Sequence, residues 1–403
     1  MNNKTNDNIK VMVAGHICLD ITPGFDPSSK GDFNDILSPG KLVNVEGATV
    51  STGGTVSNTG LSMAKLGLDV TLNGKVGDDA FGAIIKDVVG LDRASSFKTA
   101  QGQSSSYSIV LSLPGVDRIF LHHPGTNDTF TAEDIDYDQL SQCALLSFGY
   151  PTLMQKMYEN NGQELKTIFK KTKALGVLTS LDTTLPDPNS PSGQANWQAI
   201  FKEVLPYVDL FLPSIEEIAY MLNRDLFEKR KSEANGQDPV LSYTGADCTA
   251  LSNKLLALGV KVIAIKMGIN GYYIRTANRD VLNTLEHKPI DLDAWANREI
   301  WASSYQAQKF GAATGAGDAT IAGFLTAFLN GLDPVCAVKA ANTLGWQNVR
   351  EVDTLSGVED WPTTMAMIKD DTKKRNPLTI DIDGWRFSDS DQVYYGPNDN
   401  GNN

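Results

Sequence analysis

The sequence predicts an α/β fold: a doubly wound, mainly parallel sheet flanked by helices, with a small β-sheet lid. Three observations predict it. Short runs rich in β-branched residues alternate with helical patterns; two glycine-rich stretches each lead into a helix; and two strand-like stretches with polar alternation interrupt the rhythm.

The strands of the core come first. IKVMVAG (9–15), ALLSFG (144–149), GVLTSLD (176–182), VDLFLP (208–213) and VKVIAIKMG (260–268) are apolar over most of their length, as strands covered on both faces must be. Helical patterns such as LMQKMYENNGQELKTIFKKTKALG and LSNKLLALG lie between them. The lid is placed near 16–52 and 102–130, where GKLVNVEGATVST (40–52) and SSSYSIVLSLPGVDRIFLHH (104–123) read as strands able to pair outside the core. Segments 223–250 and 275–305 read as surface insertions. The main domain is placed at 9–370, and 371–403 is read as a tail that keeps Trp385, Tyr394 and Tyr395 for docking.

Composition limits the partners. The 403 residues carry a formal net charge of -13, which argues against broad binding to nucleic acid or to an anionic membrane. Cys18, Cys143, Cys248 and Cys336 form no CxxC pair, so neither a zinc site nor a disulfide framework is expected. His122 and His123, adjacent on a strand, face opposite sides and cannot easily share a metal. A polar N-terminus and the lack of any run of about 18 apolar residues set the expectation of a cytoplasmic protein.

An anionic ligand then needs a local device, and GAATGAGDATIAGF (311–324) has its features. Ile321, Leu325, Phe328 and Leu329 follow helical spacing, so a helix starts near Gly315 and ends by Gly331. Glycines at a helix N-terminus let backbone N–H groups approach a ligand, and the helix dipole favours negative charge there. The alternative reading of Asp318 is a helix cap in the first turn, but capping alone does not need Gly315 and Gly317. The second stretch, STGGTVSNTGLSMAKLGLDVTLNGKVGDDAFG (51–82), again sets Gly53 and Gly54 before a helical pattern. The chain has no GxxxxGK[ST], and no GxGxxG follows the first strand, so neither a P-loop nor a dinucleotide fingerprint is present.

TGAGD, VGDDAFG and their order along the chain resemble the ribokinase-like, or PfkB, carbohydrate kinase family over residues 9 to about 350. The resemblance implies a kinase that uses ATP and Mg2+ to phosphorylate a hydroxyl of a small sugar or sugar acid. It implies Asp318 as catalytic base, with Gly315, Ala316 and Gly317 as the anion hole. Asp20 in GHICLD, Gly53, Gly54, Asn58 and Asn127 would bind the substrate. Lys266, Gly268 and Gly271 in KMGINGYYI, together with Thr314, would lie on the nucleotide side. Glu217 would organise the metal through water. A homodimer through the lid is a further expectation, since exposed sheet edges seek partners.

Two departures qualify the resemblance. SIEE places Ser214 where the family commonly has Asn, while Glu217 keeps the acidic position. Ala312 stands where many relatives have an aspartate, which puts the usual monovalent-cation site in doubt. Taken alone, Asp20 reads as well as a strand-ending residue, and Lys266 as a surface charge. A nucleoside kinase of the same fold and a catalytically silent sugar-binding relative stand as alternatives.

Overall fold

A computed structural model describes residues 9–26, 39–113, 119–287, 289–370, 372–378 and 383–400. Its first eight strands are Lys10–Gly15 (β1), Cys18–Gly24 (β2), Glu46–Gly53 (β3), Asp69–Asn73 (β4), Lys75–Gly77 (β5), Lys98–Ala100 (β6), Tyr107–Leu111 (β7) and Ile119–His123 (β8). The rest are Leu145–Gly149 (β9), Leu178–Leu181 (β10), Leu210–Phe211 (β11), Val262–Lys266 (β12), Tyr272–Thr276 (β13), Glu299–Ala302 (β14), Arg386–Ser388 (β15) and Val393–Tyr395 (β16).

The main sheet runs β15-β16-β14-β13-β12-β11-β10-β9-β1-β4. From β4 to β12 every pairing is parallel, and from β12 to β15 every pairing is antiparallel. Each apolar run noted above supplies one of these strands. In β1 the side chains alternate between two cores: Val11 and Val13 enter one cluster, Met12 and Ala14 the other. Burial on both faces is why such strands read as continuous apolar runs.

Helices cover both faces. Thr55–Lys65 (α1), Ala316–Leu329 (α2) and Pro334–Asn348 (α3) contribute to the cluster that contains Val11. Gln163–Ala174, Trp197–Val204, Ile215–Leu222 and Gly245–Ala257 contribute to the cluster that contains Met12. From Asp318 to Leu329, only Thr320 of α2 is not buried, so this helix is apolar nearly all round, as a helix inside a layered core is.

A smaller sheet, β3-β2-β7-β8, stands beside the main one. It is built from the stretches read as lid strands, with residues 27–38 and 114–118 of the two lid segments outside the described residues. Its outer strands are largely exposed, which explains their polar alternation.

One expectation is corrected. Segment 275–305 is not a surface insertion: it ends β13, contains β14 and buries Trp295 against Phe324 and Phe328, with ring centroids 6.1 and 5.1 Å apart. Its charged residues are paired rather than solvated. Arg298 Nε lies 2.9 Å from Asp399, and Glu299 accepts hydrogen bonds from Thr249, Tyr273 and Asn398. The tail docks through the same contacts. Its β16 joins β14, and Trp385 packs on Tyr273 and Trp301. Segment 223–250 includes the helix Arg224–Glu233, largely exposed, but buries Phe227, Val240, Tyr243 and Cys248.

Candidate active site

The C-terminal ends of β1, β9, β10, β11 and β12 converge with the N-termini of α1 and α2. The chain leaves β1 for β4 on one side and returns to β9 on the other, and such a switch point is where open α/β sheets bind ligands.

Gly315, with φ 76, makes the left-handed turn into α2. Asp318 follows in the first turn and is buried, 3% exposed. It accepts hydrogen bonds from Asn58 Nδ2 at 3.0 Å, Thr59 Oγ1 at 3.1 Å and the Tyr150 hydroxyl at 2.9 Å. Burial raises its carboxyl above the usual range, while these donors and the Lys266 ammonium pull it back. A side chain that merely capped the helix would bond its own first turn; this one is held by α1 and by the loop after β9.

The expected anion hole is altered in one member. The Ala316 N–H donates to Ala313 O at 3.1 Å, which removes it as a ligand donor. The N–H groups of Gly315, Gly317 and Asp318 take no backbone partner among the described residues, so they are the donors the helix N-terminus offers. Gly317 faces Lys266, whose Nζ lies 4.0 Å from where a β-carbon would be.

Lys266 ends β12 and forms an ion pair of 2.5 Å with Asp182, the residue after β10; the two side chains are 13% and 2% exposed. Burial works against the ammonium, but Asp182, Glu217 and Asp318 raise it well above the ordinary lysine range, so it stays charged. Burial pushes the Asp182 carboxyl up and Lys266 opposes that. The second oxygen of Asp182 is buried without a hydrogen-bond partner among the described residues. Beside them, Ser214 and Glu217 form a capping box, and Thr183 Oγ1 donates to the same Glu217 oxygen at 2.8 Å. Tyr150, Thr183, Glu216, Glu217, Asp238, Lys266, Gly268 and Gly317 line a cavity of about 260 Å³. Gly271 does not reach it, being packed against Ala302 and Ser304 where β13 begins. Thr314 lies half-buried in the turn before Gly315.

A second wall runs from Asp318 towards the smaller sheet. Gly54, at φ 87, leads into α1 so close to His16 that a β-carbon would sit 2.5 Å from Nδ1. The carboxylate of Asp20 fills the space a side chain at Gly53 would need. Burial raises the Asp20 carboxyl, and bonds from Cys18 and Ser108 oppose this. His16 is 2% exposed, and both its ring nitrogens lack partners among the described residues. Its ring lies 5.4 Å from that of His122 and 6.1 Å from that of Tyr150. The wall is thus continuous from Asp20 through Gly53, Gly54, His16 and Tyr150 to Asp318.

Asn127 takes a different place from the one expected. Its amide donates to Ile17 O at 2.9 Å and accepts from Ile17 N at 3.3 Å, so it is spent on holding the turn between β1 and β2. Asp79 of VGDDAFG is likewise structural, tying Gly82 to Ser105. Sequence reasoning missed His16, Thr59, Tyr150, Asp182 and Thr183. A usable signal existed for three of them: Asp182 ends a run already read as a strand, and Tyr150 and Thr183 directly follow such runs, where α/β sheets place ligand contacts.

The model of the pfkB family carbohydrate kinases matches residues 10–361, and the chain belongs to that family. It is 24% identical to an uncharacterised sugar kinase of Archaeoglobus fulgidus, over 68% of this chain and 88% of that one. Among solved structures it is similar to Arabidopsis thaliana ribokinase complexed with ribose and ATP, with a TM-score of 0.65 and 17% identity over 90% of this chain and 99% of that one. It is also similar to a ribokinase II candidate from E. coli in complex with ATP and Mg2+, with a TM-score of 0.62 and 18% identity over 90% and 99% of the two chains. Among the described residues, no helix is long and apolar enough to cross a membrane.

Proposed function

We propose that the chain transfers the γ-phosphate of ATP to a hydroxyl of a small unphosphorylated sugar or sugar acid, with Asp318 as general base. The observation that carries this is the placement of Asp318. It is a buried carboxylate at a helix N-terminus, held by side chains from two other segments and one step from a cavity that contains Lys266. Proton transfer and charge stabilisation are what phosphoryl transfer requires of a protein. Asp318 takes the proton of the acceptor hydroxyl as its oxygen attacks the phosphorus. Lys266 and the Gly317 and Asp318 N–H groups meet the charge on the transferring group.

The cavity suits Mg2+. Glu217, a hard oxygen donor, lines it, and magnesium takes one or two carboxylates with water and phosphate oxygens. Glu217 would hold it through water. When bound, the ion neutralises and orients the phosphates.

The substrate wall favours an acceptor without a phosphate of its own. From Asp20 to Asp318 it includes no Lys or Arg among the described residues, and burial holds His16 and His122 below the usual imidazole range. The rings of His122 and Tyr150, which are not buried, also support a second reading, a nucleoside whose base stacks on them. The smaller sheet leaves Val50 and Leu121, on one face, about half exposed, which supports a homodimer formed through it.

The test is ADP release with a panel of free sugars, sugar acids, sugar phosphates and nucleosides, with and without magnesium. A free sugar or sugar acid is expected to give the fastest turnover. Faster turnover with a sugar phosphate would contradict the proposal, and a nucleoside would select the second reading.

A further inference from the structure

We propose that the Tyr150 hydroxyl is a positioning stopper on the base: it holds Asp318 until an acceptor hydroxyl displaces it, and so suppresses phosphate transfer to water. The inference rests on the kinase reading above.

Asp318 is approached from two directions. Asn58 and Thr59 donate to it from α1, whereas Tyr150 donates to Oδ2 at 2.9 Å from the loop after β9. Tyr150 lines the cavity that also contains Lys266, Gly317 and Glu217; Asp318, Asn58 and Thr59 do not. The phenol therefore stands between the carboxylate and the place of the phosphates. A carboxylate offers about four lone-pair positions: Asn58 and Tyr150 fill the two on Oδ2, and Thr59 takes one of the two on Oδ1. The position held by Tyr150 is the one on the cavity side. An acceptor oxygen that comes to Asp318 Oδ2 from the cavity takes the position of the phenol as Tyr150 swings away.

The backbone of Tyr150 is unlike that of a packing residue. Its φ of 60 and ψ of 42 are left-handed, strained for a bulky side chain, and such outliers persist only when the surroundings enforce them. Here its N–H donates to Asp182 O at 3.2 Å, and its carbonyl accepts from Leu153 N at 3.0 Å. Pro151 disfavours the right-handed alternative. Burial beside Asp318 and Asp182 keeps the phenol protonated, so it remains a donor.

The suppressed reaction is hydrolysis. A water oxygen bonds to the terminal phosphorus while the bond to the bridging oxygen breaks, the water proton passes to Asp318, and ADP and phosphate leave. With Tyr150 on Oδ2, water in the acceptor position finds the cavity-side lone pair taken.

The experiment compares wild type with Tyr150→Phe, which keeps the ring and removes the donor, and with Tyr150→Asn, which tolerates the left-handed backbone. ADP release without acceptor is expected to rise about tenfold in both, the worth of one hydrogen bond to a charged group. Adding Asp318→Asn should abolish the rise. Calorimetry without nucleotide should show the best acceptor of the panel binding several-fold more tightly to Tyr150→Phe, because no hydrogen bond has to be displaced. Unchanged hydrolysis and unchanged acceptor affinity, in variants that fold and still transfer phosphate, would overturn the proposal. A wild type that transfers phosphate to no acceptor would instead contradict the kinase reading and remove this inference with it.

Discussion

The side-chain amide of Asn58 donates to the carboxylate of Asp318 at 3.0 Å across 260 residues of sequence. The contact joins two helices that each start from a positive-φ glycine, Gly54 and Gly315, one beside the wall that starts at Asp20 and the other beside the cavity that contains Lys266. Acceptor and phosphate donor would therefore meet at a single carboxylate.

The ion pair of Lys266 and Asp182 separates binding from stability. Lys266→Met is expected to lower kcat/KM for ATP by about 10²- to 10³-fold, the usual effect of removing one electrostatic stabiliser. It should also lower the melting temperature, since an unpaired buried charge costs about 3–5 kcal/mol. Lys266→Met with Asp182→Asn should regain much of the stability and little of the rate. Recovery of both would show that the pair is structural only.

His16 predicts a pH effect on stability. Burial, aided by His122, lowers its pKa from 6.5 to about 3. Between those values the unfolded chain binds a proton that the folded chain does not, so stability is lost as pH falls below 6.5. Urea unfolding of wild type and His16→Asn between pH 6.5 and 5 checks this. The difference between them should approach a tenfold change in the folding equilibrium constant per pH unit. Parallel curves would contradict a buried neutral imidazole.

The tail should be part of the folded unit. Asn398 gives Glu299 Oε2 two hydrogen bonds of 2.8 Å, and Glu299 is fully buried. Truncation before Trp385 removes both donors, at about 1–3 kcal/mol each, as well as the strand that pairs with β14. Calorimetry is expected to show a lower melting temperature with ATP affinity retained. A truncated chain that melts with the full-length protein would contradict this.

Potassium should activate little. Ala312 is buried and has no side-chain oxygen for a hard cation. Rates in potassium, sodium and a bulky organic cation at constant ionic strength should agree within about twofold, and a large potassium-specific increase would show that other ligands serve.

The parallel strands and the two glycine-led helices were legible because both follow from local pattern: burial on two faces gives apolar runs, and a helix that starts at Gly315 needs a left-handed residue there. Asp20, Asn58 and Lys266 were found through the family resemblance. Asn127 was misjudged because its partner, Ile17, lies 110 residues away, and an amide reads the same whether it faces a ligand or the backbone. Segment 275–305 was misjudged because Arg298 and Glu299 look solvent-facing until Asp399 and Asn398 are brought to them. Tyr150 carries no motif beyond its place directly after a strand, and only the fold sets it against Asp318.

Asp318→Asn tests the central claim most directly. Asparagine caps helices as well as aspartate and keeps the shape, but it cannot take a proton. Acceptor-dependent ADP formation should fall about 10²- to 10⁴-fold, with melting temperature and ATP affinity little changed. Near-normal turnover in the Asp318→Asn protein would contradict the assignment of Asp318 as the base.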